Sequence, residues 1–161
     1  MISIPWHMFN YDNTSEFSLD GLTSFGRVVN IHDGDTMNVI LPVDSKMYRF
    51  SIRLNRIDTC EVKSKNESNL KLAIQARTRL FELVTGVGQQ STTDIKKYLK
   101  DNVCLVFLRC SDFDKYGRLL ADVSSNESTE CFSDILISER LAYVYDGGKK
   151  LTEEEQMEKL N

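Results

Sequence analysis

The sequence predicts an α+β fold that is mainly β: a small five-stranded barrel with about three helices. Three observations predict it. Three β-rich runs follow one another over residues 25–54, separated only by short turns. A segment of helical periodicity then precedes two further β-rich runs, at 103–110 and 118–124. Strand and helix do not alternate in the repeated manner of a doubly wound sheet. The length of 161 residues suits one domain, a size that buries about 70% of the unfolded chain's surface.

Residues 1–22 are polar and lack a clear period. They read as a lead segment with Trp6 and Phe9 as candidate anchors, and residues 23–161 as the domain itself. The runs 25–32 and 36–43 are joined by Asp33-Gly34-Asp35, a turn signal. Val43–Lys46 makes a second turn. Tyr48, Phe50, Ile52 and Leu54 then alternate with Arg49, Ser51, Arg53 and Asn55. That period of two belongs to a half-buried strand, and it puts Arg53 on the polar face, opposite the core. The phase slips at Ile57, so a bulge or strand end is expected near Asn55–Arg56.

Ser64 and Glu67 have capping-box spacing. Leu70, Ala73, Ile74, Leu80, Phe81 and Val84 fall on one helical face, interrupted by Arg77. Gly86 and Gly88 stop this helix. Residues 87–101 read as a polar loop with one helical turn at Asp94–Leu99. The unbroken apolar run 103–110 predicts a fully buried strand. Asp114–Gly117 is a turn before the fifth strand at 118–124. A helix near 130–140 leads into a short strand at Leu141–Tyr145, and Thr152 with Glu155 can box-cap a last short helix. Five short strands with a helix between the third and fourth make the pattern of an OB-fold, whose strands and loops often hold nucleic acid.

Composition narrows the function classes. With 41% hydrophobic and 27% charged residues the chain is neither disordered nor fibrous. No apolar run approaches the ~18 residues of a membrane helix, so no membrane partner is expected. Lys+Arg 20 against Asp+Glu 24 gives a net charge of −4. Nucleic acid is therefore not coated by global attraction; phosphate contacts must come from local basic clusters. Cys60, Cys104, Cys110 and Cys131 form no C-x-x-C pair, and His7 and His32 are the only histidines. A structural zinc site is not expected, and the cysteines read as free thiols. The first residues lack a basic start followed by an apolar run, so an intracellular location is expected. No obligate protein partner is implied.

Three clusters concentrate acids and bases: Asp33-Gly34-Asp35-Thr36, the stretch from Arg53 to Glu61, and Asp114-Lys115-Tyr116-Gly117-Arg118. Hard cations take six to eight oxygen ligands from carboxylates, carbonyls and water. Asp35 and Asp58, at adjacent strand ends, could meet at such an ion, with the Thr59 carbonyl beside them. Glu61 is near enough to hold a water. Arg53 and Arg118 could fork onto phosphate oxygens as lysine cannot. Lys115 and Tyr116 suit a phosphate and a stacked base. Each cluster alone has an ordinary reading as a turn, salt bridge or solvated charge. Together they fit phosphodiester hydrolysis: cations neutralise charge building on phosphorus while a carboxylate positions or deprotonates water.

These residues resemble the staphylococcal nuclease-like (thermonuclease) family. The resemblance runs from about residue 25 to 146 and is carried by Asp33-Gly34-Asp35-Thr36, Arg53 with Asp58-Thr59-Cys60-Glu61, Asp114–Arg118 and Leu141–Tyr145. It implies a Ca²⁺-dependent nuclease that cuts DNA and RNA to 3′-phosphate ends. By match, Asp35, Asp58 and Thr59 would bind calcium, Glu61 would position water or act as base, and Arg53 and Arg118 would clamp the reacting phosphate. Lys115 and Tyr116 would hold a neighbouring phosphate, and Tyr143 and Tyr145 would line the nucleotide site. The oxygen donors alone also suit Mg²⁺ or Mn²⁺. Cys60 departs from the family's usual proline, which would stiffen this loop. The competing reading is an inactive nucleic-acid- or protein-binding module on the same fold, since fold does not imply function.

Overall fold

The computed structural model describes residues 2–88 and 93–161. A 3-10 turn at Trp6–Met8 precedes β1 (Thr23–Asp33), β2 (Thr36–Val43), β3 (Lys46–Leu54) and β4 (Ile57–Asp58). Helices α1 (Glu67–Thr85) and α2 (Ile95–Asp101) follow, then β5 (Leu105–Phe113) and β6 (Leu119–Ser124). The chain ends with α3 (Phe132–Ser138), β7 (Tyr143–Val144) and α4 (Glu153–Leu160). Of the loop expected at 87–101, residues 89–92 lie outside the described residues.

Strands β1, β2, β3, β6 and β5 form the expected five-stranded barrel, which is closed, with four helices among the described residues rather than three. The β1–β2, β2–β3, β5–β6 and β1–β5 pairs are antiparallel, and β3 meets β6 in parallel. Parallel neighbours need a crossover; here α1, α2 and β5 lie between the two strands in sequence. Val28, Met37, Val39, Leu41, Ile52, Leu54, Val106, Leu108, Leu119, Ala121 and Val123 are completely or almost completely buried. Leu80 and Phe81 of α1, Leu99 of α2 and Phe132 and Leu136 of α3 extend this core. Burying each large apolar side chain contributes about 1.5–3 kcal/mol, which makes this core the main source of stability.

Several local expectations change. The first half of β3 is exposed, including Tyr48 at 47%, and its core stripe is fully covered only from Ile52. Val103 precedes β5, and both it and Leu105 are exposed, so that strand is buried only from Val106. On α1, Ile74 is exposed and Leu70 half-buried, while Asn69, Ala73, Ala76, Leu80, Phe81 and Val84 face inward. Its N-cap is Asn66, whose Oδ1 accepts from the Ser68 and Asn69 amides at 3.0 and 3.2 Å, rather than Ser64. Trp6 and Phe9 are exposed; Leu19 is the buried anchor near the start of the chain. There the Gly21 amide donates to the Cys110 carbonyl and the Cys110 amide to the Leu22 carbonyl.

The other turn and cap readings match local structure. Arg56 has φ 69° between β3 and β4, where the phase slips. Gly86 caps α1 with φ 76°, Asp94 caps α2, and Thr152 and Glu155 form a complete capping box on α4. All four cysteines are free. Among the described residues, no helix is long and apolar enough to cross a membrane.

Candidate functional site

Strand pairing gathers the three charged clusters. Thr36 pairs with Arg53, and the Leu54 amide donates to the Asp35 carbonyl at 2.9 Å. The Asp33–Asp35 turn is thereby held beside Arg53. The parallel register sets Arg53 against Leu120, two residues beyond Arg118, and so brings the β5–β6 turn to the same end of the barrel. Outside the barrel, β4 pairs with β7 through Asp58 and Tyr143. Gly34 lets the first turn lie close against α1: a Cβ there would come within 2.5 Å of the Ala76 Cβ and 3.2 Å of the Thr59 Cγ2.

Asp33, Asp35, Thr36, Arg53, Asp58, Thr59, Glu61, Arg118 and Lys150 line one cleft of about 40 Å³. Arg53 sits at its base. Alternation correctly turns this side chain out of the barrel, but β4, β7 and the first turn cover it, and only 4% of the residue is exposed. The expected open polar face is therefore a buried ion cluster. One terminal nitrogen of Arg53 lies 3.2 Å from Asp35 and donates to the Ile57 carbonyl at 3.0 Å; the other reaches Asp58 at 3.1 Å.

Asp35 also accepts from the Thr36 hydroxyl at 2.8 Å and the Thr59 amide at 3.2 Å. Burial pushes its carboxyl up to about 6; Arg53 pulls it down and the nearby Asp58 pushes it further up. Asp58 is buried as well and accepts from the Tyr143 hydroxyl. Lys150 approaches Asp58 at 3.6 Å and Glu61 at 3.8 Å, and Glu61 itself is largely exposed. Sequence reasoning missed Lys150, which lies in a polar stretch far along the chain, with no motif to mark it.

Arg118 forms the other wall. Its Nε donates to Asp114 at 2.7 Å, its guanidinium lies 5.3 Å from the Tyr116 ring centre, and its backbone amide also donates to Asp114. Burial alone would raise the Asp114 carboxyl, but hydrogen bonds from Arg118 and the Tyr116 amide outweigh it and hold the group below its ordinary value. Among the described residues, the terminal nitrogens of Arg118 have no protein partner. Gly117, at φ 81°, turns the chain back into β6.

Lys115, Tyr116 and Tyr145 join Arg53 and Arg118 around a larger adjoining cleft of about 440 Å³. Tyr145 is placed there by a hydrogen bond to the Gly148 carbonyl at 2.7 Å, with Arg53 5.6 Å from its ring centre. Tyr143 departs from its expected place on the nucleotide wall. It is 3% exposed, and its hydroxyl lies between Asp58 and Gln156. Burial and the bond to Asp58 push that hydroxyl above the ordinary tyrosine value.

The oxygen donors fit a hard divalent cation in chemistry. Asp35 is a buried carboxylate that resists ionisation, and the buried Thr59 hydroxyl in the same cleft has no hydrogen-bond partner. Asp58 supplies a second carboxylate. Among the described residues, no group of three or more acidic, histidine or cysteine side chains forms a cation site by itself. Carbonyl and water oxygens would have to complete the shell, as is common for calcium and magnesium.

A family model, staphylococcal nuclease homologue, matches residues 51–161, more than two thirds of the chain. The match begins inside β3 and takes in Arg53, Asp58, Thr59, Glu61 and Arg118; the Asp33–Thr36 turn lies before it. A search of curated proteins finds no match.

Proposed function

The chain belongs to the staphylococcal nuclease homologue family, and from that premise we propose that it is an endonuclease hydrolysing phosphodiester bonds of DNA and/or RNA. One observation carries this reading: Asp35, Arg53, Asp58, Glu61 and Arg118 come from three separate stretches of chain and line a single cleft. A module that only binds has no chemical need for an exposed carboxylate beside two buried ones and two arginines.

Asp35, Asp58 and Thr59 would hold calcium, with Mg²⁺ or Mn²⁺ the second choices. The ion, when bound, supplies positive charge at the reacting phosphate. Glu61 positions the attacking water and accepts its proton. Arg118, fixed by Asp114 through Nε, turns its terminal nitrogens to the phosphate oxygens. Arg53 donates from the cleft base. As charge builds on the oxygens around phosphorus, these fixed donors stabilise it without reorganising. Lys115 and Tyr116 hold a neighbouring phosphate, Tyr145 lines the nucleotide, and Tyr143 orients Asp58 from below.

The second reading is an inactive binding module. It is favoured by the pairing of both arginines with the protein's own carboxylates. Hydrolysis of denatured DNA decides between the two, measured in calcium and in excess chelator with the wild type and Arg118→Ala. Calcium-dependent cutting that the folded variant loses supports the nuclease. No cutting by folded wild type in calcium, magnesium or manganese refutes it.

A further inference from the structure

We infer that the chain carries a second phosphate-binding cleft, on the outer face of β1, β2 and β3 beside α2, which holds the polynucleotide backbone away from the scissile bond. The inference rests on the nuclease reading and extends it to the length of substrate engaged. The cleft measures about 320 Å³ and is lined by Val29, Asn30, His32, Asn38, Arg49 and Lys96. It contains no acidic side chain, although the whole protein has more acids than bases.

Arg53, Arg56, Arg79 and Arg118 are each paired with carboxylates. Among the described residues, Arg49 and Lys96 have no such partner. Polar groups of the cleft are already ordered. Asn30 is nine-tenths buried, its Nδ2 lies 3.3 Å from the His32 Nε2, and that nitrogen lies 3.0 Å from the Asn38 Oδ1. A guanidinium, an ammonium and neutral amide groups without a competing acid match a phosphodiester in charge and hydrogen bonding.

The strand register sets this cleft in line with the first. Thr36, Asn38 and Ile40 oppose Arg53, Ser51 and Arg49, with no bulge between them. Residues two apart share a face, so Arg49 and Arg53 project from the same side of β3, about 13 Å apart along the strand. A helical nucleic-acid strand covers that distance in about four nucleotides at ~3.4 Å each, and an extended strand in fewer. Sites on OB-folds span roughly 4–16 nucleotides. A strand held at Arg53 and Arg118 therefore reaches Arg49 along the same face of β3, where Lys96 of α2 lines the cleft beside it.

The test is fluorescence anisotropy of a labelled single-stranded trinucleotide and dodecanucleotide across a salt series. It is run in chelator, where the proposed reaction does not proceed. Arg49→Ala/Lys96→Ala should bind the dodecanucleotide several-fold more weakly and lose most of the preference for the longer strand. Its salt slope should fall by about 1.4, since each single-strand phosphate contact contributes about 0.7. Arg140→Ala/Lys159→Ala makes the same charge change elsewhere and should leave the slope in place. The inference is overturned if length preference and slope are unchanged, or if the control lowers the slope equally. It is also overturned if inorganic phosphate and trinucleotide binding weaken as much as dodecanucleotide binding, which would mark a site for isolated phosphate. Calcium-dependent cutting of denatured DNA is scored beside it. Cutting with an unchanged slope removes the second cleft alone; neither cutting nor binding by the wild type removes both readings.

Discussion

Replacing Asp35 by Asn should make the calcium-free protein more stable at neutral pH, relative to wild type, than at acid pH. Asp35 is buried beside Arg53 and Asp58, and its carboxyl rises from 3.8 to about 6 on folding, chiefly through burial. The folded protein thus keeps this proton where the unfolded chain has released it. Stability from this group is full below about pH 4 and is lost as pH rises through about 6. At 1.36 kcal/mol per pH unit, a rise of about two units is worth about 3 kcal/mol. Asn keeps the shape and stays neutral. Whatever its constant cost in hydrogen bonds, the stability difference between variant and wild type should move by about 3 kcal/mol in the variant's favour from pH 4 to pH 8. Urea unfolding in chelator, followed by circular dichroism, measures this; the single tryptophan, Trp6, is 73% exposed and a poor reporter. A difference that is flat across this range, or that slopes the other way, refutes the burial argument. Calcium at about one hundred times its Kd should stabilise wild type by about 2.7 kcal/mol and the variant by much less.

Arg118→Ala should keep the circular dichroism spectrum while slowing hydrolysis of denatured DNA by the equivalent of about 3–4 kcal/mol, the cost of removing a preorganised donor. Glu61→Gln should bind an oligonucleotide as wild type does, by anisotropy, yet turn over far more slowly; equal turnover would remove Glu61 as the base. Gly34→Ala should lower stability in urea by about 1–3 kcal/mol, because its new methyl meets Ala76 at 2.5 Å. Tyr143→Phe deletes the hydroxyl that Asp58 accepts from, a charged hydrogen bond worth about 1.5–3 kcal/mol. It should weaken calcium binding by calorimetry.

The barrel was legible because its signals are local. Turn residues interrupt runs of period two, and Met37, Val39 and Leu41 fall inward as that period requires. The Asp33–Thr36 and Asp114–Arg118 turns were legible for the same reason. Periodicity gives the direction of a side chain but not what lies above it. It put Arg53 outside the barrel, and the β4–β7 ribbon that buries it is built from residues far apart in sequence. Tyr143 was misplaced for a related reason: two-residue β7 has too little pattern to say which tyrosine faces the cleft. Ser64 with Glu67 has capping-box spacing, yet Asn66, two positions further on, is the cap of α1. Lys150 enters through tertiary packing and leaves no mark on the local pattern.

Cys60 shows how a departure in sequence can be absorbed by packing. Its loop carries Thr59 and Glu61, and a proline there would restrict the backbone directly. Here restraint comes from side chains. The Cys60 thiol donates to the Gln156 Oε1 at 3.4 Å, and Asn69 donates to that same oxygen at 2.9 Å and to the Glu153 carbonyl at 3.0 Å. Gln156 in turn donates to the Tyr143 hydroxyl at 3.3 Å, which donates to Asp58. All five of these side chains are buried, so each bond is protected from water and costly to leave unmade. Residues of α1, α4 and β7 thus grip the loop from three directions. Helix α4 then has a task beyond closing the fold: it carries Gln156, which touches both the cysteine and the tyrosine beneath the carboxylate. Its capping box at Thr152 and Glu155 fixes the first turn of that helix, and Gln156 follows directly after it. The ordering of Asp58 therefore depends on a helix end nearly a hundred residues away in sequence.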